Sequence, residues 1–184
     1  MIYPVVAYGH PVLKTRGKDI EQGELDIKNL VADMFETMYN ANGVGLAAPQ
    51  IGKSLRLFVI DTEAVEDEEE PEVKQAFINP QIMLEEGDEW AFEEGCLSIP
   101  NIREDVNRKP KIKIKYFDEE WVEHTKEFGG FAARVIQHEY DHIEGILFID
   151  HVSAFKKRIL KGKLTNISKG KVSVDYKMTF PIKK

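Results

Sequence analysis

From Ile27 onward the apolar residues Ile27, Leu30, Val31, Met34, Phe35 and Met38 recur at steps of three and four, a spacing that gathers side chains on one face of a helix. Asp26 stands at the N-cap position, and Asn42-Gly43 supplies a stop. The pattern then changes to that of strands. "LRLFVI" at 55–60 is β-rich, "KIKIKYF" at 111–117 alternates, and "WVEHTKEF" can return beside the latter across "DEE". "EEGDEWAFEE" carries Trp90 and Phe92 among its acids and includes a strand with one buried face. Phe131, Val135, His138 and His142 step by four, three and four after Gly129-Gly130, which predicts a second helix with both histidines on its apolar stripe. Ser153 can cap a short basic helix through Leu160, and Val172, Val174, Tyr176, Met178 and Phe180 alternate with polar residues as a final strand. Two principal helices among strands, without regular β-α-β alternation, predict an α+β fold.

Composition narrows this picture in three ways. At 184 residues, 42% hydrophobic and 31% charged, the chain is read as one domain, 1–184, with no apolar run long enough for a bilayer span. The start, "MIYPVVAYGHPVLKTRG", lacks the pattern of a secretory or organellar leader, so a cytoplasmic protein is expected, with neither membrane nor DNA as partner. The net charge of -7 is unevenly spread: residues 156–184 hold ten Lys and Arg against one acid, Asp175, leaving an acidic body. The acidic run from Glu63 to Glu72 would repel itself in any compact element and is expected to be an exposed loop.

Two motifs carry candidate chemistry. "GVGLAA", Gly43 to Ala48, fits the glycine fingerprint of dinucleotide sites, but a helix precedes it and a β-rich run follows, the reverse of the required context. Its glycines can instead let another backbone approach, and Gln50 beyond them offers an amide donor. "QHEYDH", Gln137 to His142, contains HExxH. At about 100° per residue His138 and His142 lie only ~40° apart on a helix, so both imidazoles can reach one ion, while Glu139 sits beside it as a proton carrier.

The third ligand is then the question. A zinc-dependent peptidase is the rival reading, but Phe148 occupies the place where the extended peptidase pattern has its third histidine. No later carboxylate has suitable spacing, and His151 remains a candidate. Upstream, the lone Cys96 in "EGCLS" cannot form an internal disulfide, and its thiolate would bind a borderline-soft metal tightly. Three protein ligands leave a fourth position open, the arrangement of a catalytic site.

"GVGLAAPQ", "EGCLS" and "QHEYDH", in that order, resemble the three motifs of the peptide deformylases, and "YGHPVL" resembles that family's N-terminal segment. The resemblance covers roughly Tyr3 to Leu160 and leaves 161–184 divergent. It implies removal of the formyl group from N-terminal formyl-methionine of nascent chains, with formate released. It implies one divalent metal, Fe(2+) in cells with Zn(2+), Ni(2+) or Co(2+) possible in preparations, held by Cys96, His138 and His142. Glu139 becomes the proton carrier, and Gln50 and the backbone N–H of Leu97 the oxyanion donors. Val44 and Gly45 pair with substrate backbone, Val135 lines the methionine pocket, Arg103 neighbours the substrate, and Glu94 orients a ligand histidine. Because nascent chains are met at the ribosome, the basic segment from Lys156 is expected to contact ribosomal RNA.

Overall fold

The computed structural model describes residues 1–63 and 72–181, so most of the acidic stretch read as a loop lies outside the described residues. In chain order the elements are β1 (Val5–Val6), α1 (Ile27–Asn40), β2 (Gly45–Ala47), β3 (Leu57–Asp61), β4 (Lys74–Glu86), β5 (Trp90–Cys96), β6 (Ile99–Arg108), β7 (Lys111–Phe117), β8 (Glu123–Gly129), α2 (Gly130–Ile143), α3 (Ala154–Ser168) and β9 (Met178–Thr179). Strands β2, β3, β4, β7 and β8 form one antiparallel sheet in that order, β5 and β6 form a separate hairpin, and β1 pairs with β9 in parallel. This is the α+β architecture expected, with mostly antiparallel strands around the HExxH helix α2. No helix of the described residues is long and apolar enough to cross a membrane.

The strand β3 shows why the sheet lies where it does. Its five residues are all buried, because successive side chains point to opposite faces and each face is covered. Leu57 and Val59 pack with Leu30, Val31, Met34 and Met38 of α1, while Phe58 and Ile60 pack with Ala133, Ile136 and Ile143 of α2. On the second face Phe77 lies 4.7 Å from Phe58 and 4.4 Å from Tyr116 between ring centroids. Each such side chain contributes about 1.5–3 kcal/mol when fully buried, enough to fix α2 against the sheet. A third cluster joins Val6, Leu13, Ile99, Ile102 and Phe148 to Leu160, Leu164 and Ile167 of α3.

The helix ends follow local rules. The Asp26 side chain accepts from the Asn29 N–H at 3.2 Å, and Ser153 accepts from the Lys156 N–H at 3.2 Å. Asn42, at φ +55°, makes the left-handed turn that stops α1, so Gly43 is not needed there for its backbone freedom. β7 and β8 pair across the turn as expected, with Phe117 opposite Glu123, and Trp121 at φ +61° belongs to the turn itself.

Two expectations are corrected, and one strand was not anticipated. The basic helix does not end at Leu160 but continues to Ser168, because Leu164 and Ile167 extend its buried stripe by two more turns and outweigh the weak helix formers between them. The final strand shrinks to Met178–Thr179. Residues 171–180 do alternate between exposed and half-buried, but those before β9 lie outside any ladder. Strand β4, the longest, was hidden by Asn79-Pro80 at its centre. The pairing with β7 shifts register between Ile78 and Gln81, and that bulge accommodates a residue without an N–H.

Candidate metal centre and substrate cleft

Helix α2 is buried on two sides, by the sheet and by the β5–β6 hairpin. Its stripe brings His138 and His142 beneath the end of β5, where a register shift between Gly95 and Cys96 turns the thiol toward them. The ligand atoms of Cys96, His138 and His142 all lie within 4.8 Å of one another, and they form the one such group among the described residues. The Cys96 Sγ is 3.3 Å from His142 Nε2. His151 is not in this group: its imidazole sits at the surface, 2.7 Å from Asp141. A thiolate and two imidazoles held in contact and largely buried fit a divalent transition metal better than they fit each other.

His138 is set by what lies behind it, whereas the buried Nδ1 of His142 has no hydrogen-bond partner among the described residues. Glu94 of β5, buried, accepts at 2.9 Å from His138 Nδ1, which leaves Nε2 for the ligand cluster. Arg108 donates to both oxygens of Glu94 at 2.6 and 3.0 Å and to Asp141 at 2.8 Å. Arg134 of α2 adds a bond to Glu94 at 3.0 Å and others to the carbonyls of Val106 and Trp90. Burial alone would raise the Glu94 carboxyl, but hydrogen bonds and charge from His138 and Arg108 outweigh it and hold it well below the usual carboxylate range. Burial holds His142 well below its ordinary value, whereas for His138 burial is outweighed by the bonds to Cys96 and Glu94, which raise it; a cation held by the cluster would take the place of that proton. Arg108, Arg134 and Asp141 were not found from sequence; only Asp141, inside "QHEYDH", stood where a motif could have pointed to it.

Glu139 differs from Glu94 in having no such partners. It is buried, its Oε2 has no hydrogen-bond partner among the described residues, and burial pushes its carboxyl up to about 7. The glycine motif makes room for it: a Cβ at Gly45 would fall 2.5 Å from Glu139 Oε1. A Cβ at Gly43 would fall 2.9 Å from Leu97 Cδ1. The glycines thus allow side chains of the centre to approach the segment, rather than a nucleotide.

These groups line a cleft of about 750 Å³ that also takes in Val44, Gln50, Glu94, Arg103, Val135 and His138. Gln50 is oriented by accepting from the Ala47 N–H at 2.8 Å, and its Nε2 donates toward Cys96 Sγ and Ser98 Oγ, each at 3.4 Å. No acceptor is found for the Leu97 N–H among the described residues. Val44 and Val135 belong to one apolar cluster. Arg103 stands at the mouth, exposed and paired with Glu93 at 2.9 Å. Strand β2 is an edge strand of its sheet, so an extended peptide can add beside Val44 and Gly45.

A buried HExxH pair, a thiolate and an adjacent unpaired carboxylate in an open cleft are the parts of a hydrolytic metal centre. The family model described as polypeptide deformylase matches residues 2–158. The peptide deformylase of Cytophaga hutchinsonii is 63% identical over 100% of both chains, and that of Christiangramia forsetii 56% identical over 98% of this chain and 97% of its own. Among solved structures, a peptide deformylase from Legionella pneumophila superposes with TM-score 0.82 at 36% identity, covering 93% of this chain and 98% of that one. The Thermotoga maritima enzyme gives 0.75 at 40% identity, covering 83% and 99%. The chain belongs to the polypeptide deformylase family.

Proposed function

We infer that the chain is a metal-dependent hydrolase that removes the N-formyl group from the terminal formyl-methionine of nascent polypeptides and releases formate. The observation that carries the assignment of residues is the Cys96, His138 and His142 cluster lying beside the unpaired Glu139 carboxylate, under a glycine edge strand. Cys96, His138 and His142 would hold the ion, with Glu94 fixing His138 from behind. A divalent cation bound there supplies Lewis acidity, polarising the formyl group and making water a nucleophile near neutral pH.

The chain's own residues do the rest. The substrate backbone adds along Val44 and Gly45, and the methionine side chain enters the apolar pocket at Val135. The formyl oxygen, gaining charge as its carbon becomes tetrahedral, lies between the Gln50 amide and the Leu97 N–H; a donor of this kind is worth roughly 3 kcal/mol. Glu139 takes a proton from the attacking water and delivers it to the amine as the C–N bond breaks. Arg103, free to exchange its exposed partner Glu93, serves the peptide beyond the first residue. The donor set accepts Fe(2+), Zn(2+), Ni(2+) or Co(2+), and the family resemblance favours Fe(2+) in cells.

Anaerobically purified protein should carry about one divalent ion and release formate from formyl-Met-Ala. Glu139→Ala should keep the ion and lose roughly 10²–10⁴-fold in rate, whereas Cys96→Ala should lose the ion. Full activity in either variant would overturn the assignment.

The place of action that fits this substrate is the cytoplasm, at the ribosome. On α3, Lys157, Arg158, Lys161 and Lys163 are exposed, which supports contact with a polyanion such as ribosomal RNA, while Lys156 is already paired with Glu104 at 2.6 Å. Reversing these four exposed charges should abolish co-sedimentation with ribosomes at low salt; unchanged co-sedimentation would refute the contact.

A further inference from the structure

The tail beyond α3 lies past residue 158, where the match to the family model ends. It nevertheless returns to the cleft. Ser173, Val174, Asp175 and Tyr176 all line the same cavity as Cys96 and Glu139. The segment is held at both ends: the Asn101 side-chain amide donates to the Ser173 carbonyl at 3.4 Å, and the β1–β9 pair follows at Val5 and Met178.

Between those anchors the Tyr176 hydroxyl donates to the Leu97 carbonyl at 2.7 Å. Leu97 is the first of the two residues that join β5 to β6, directly after Cys96. Each of the two has its own tether. The Ser98 carbonyl accepts from the Tyr8 N–H at 2.9 Å, and the Ser98 hydroxyl meets the Gln50 amide. The Leu97 carbonyl has the phenol. The Leu97 N–H lies in the Cys96–Leu97 peptide plane and the Leu97 carbonyl in the next plane, the two joined at the Leu97 Cα, so a bond that holds the carbonyl restricts the rotations by which the N–H could turn away.

We propose that Tyr176 is a positioning residue for the deformylation site: by holding the Leu97 carbonyl it aims the Leu97 N–H at the developing oxyanion, so the tail completes the site. This rests on the reading of Leu97 as an oxyanion donor. Aim is needed most where charge has developed, so removing the hydroxyl lowers kcat and leaves substrate binding nearly unchanged. A tether that only fastened the tail would not separate the two.

The test compares three metal-loaded proteins on formyl-Met-Ala: the full-length wild type, Tyr176→Phe and Leu97→Pro. Proline removes the N–H itself and is compatible with the extended Cys96 before it. Tyr176→Phe should keep its metal and lose about tenfold in kcat, with KM within about twofold. Leu97→Pro should keep its metal and lose roughly 10²-fold or more. Full activity in Leu97→Pro would sink the reading of Leu97 and this inference with it. If Leu97→Pro is impaired, the inference alone is overturned by unchanged kcat in Tyr176→Phe, or by a loss there that comes through KM or through metal content.

Discussion

Adding one methyl group at Gly45 tests the geometry of the centre without touching a ligand. The new Cβ would lie 2.5 Å from Glu139 Oε1 and 2.8 Å from both Cδ and Cγ of the same side chain. Ordinary separations of such atoms are about 3.5 Å, so the side chain must retreat by roughly 1 Å. A swing of the carboxylate tip alone is not enough, because Cγ is also too close, and Glu139 is only 4% exposed on a helix packed on two sides. Gly45 has no positive φ, so alanine brings no backbone strain, and the atoms nearest the added carbon all belong to Glu139. Misplacing a proton-transfer group by about 1 Å costs on the order of 10²-fold in rate. Gly45→Ala should therefore keep its metal and show kcat/KM for formyl-Met-Ala reduced about 100-fold, with a stability loss of about 1–3 kcal/mol from overpacking. Metal content, formate release and urea unfolding measure the three terms separately. Metal-loaded Gly45→Ala within about threefold of wild-type kcat/KM would refute the claim that this glycine exists to admit Glu139.

Two further predictions concern what supports the site and the sheet. Arg108 is buried and bridges Glu94 to Asp141; Arg108→Ala should destabilise by about 3–5 kcal/mol by removing the cation that the two carboxylates share, and should weaken metal retention about 10- to 100-fold. A loss below about 1 kcal/mol on urea titration would show that Arg134, His138 and His151 suffice. At the far end of β3, burial raises the Asp61 carboxyl, but donation from the Tyr39 hydroxyl, the Glu63 N–H and Lys74 outweighs it and leaves the folded-state value lowered. The stabilisation is therefore full above the unfolded value near 4 and is lost as pH falls through the lower folded value. Asp61→Asn should be less stable than wild type at pH 7, with the gap closing below pH about 4; a gap independent of pH would show that ionisation of Asp61 contributes nothing.

What was legible in the sequence was whatever local spacing encodes. The stripe from Ile27 to Met38 required only a period of 3.6 and an Asp26 cap, and the alternation in 111–117 only a period of two. HExxH was equally local, since one helical turn brings His138 and His142 together whatever surrounds them. The failures have the same origin. Strand β4 was obscured because Asn79-Pro80 reads locally as a break, and only the partner strand β7 shows that a bulge absorbs it. The length of α3 depended on a core beneath Leu164 and Ile167 that no property of those residues announces.

The sequence by itself therefore determined the two helices, the sheet hairpin and the set of motifs that can hold a metal, because each is a contact between residues a few positions apart. Cys96 was already preferred to His151 from the sequence and the structure agrees; tertiary structure alone decided why Gly43 and Gly45 have no side chain, that Arg108 and Arg134 stand behind the centre, and that Tyr176 reaches the turn after Cys96. Those facts are approaches between segments 14 to 94 residues apart, such as Arg108 to Glu94 and Glu139 to Gly45. Their distances are set by the packing of α2 between the sheet and the β5–β6 hairpin, which is a property of the whole chain.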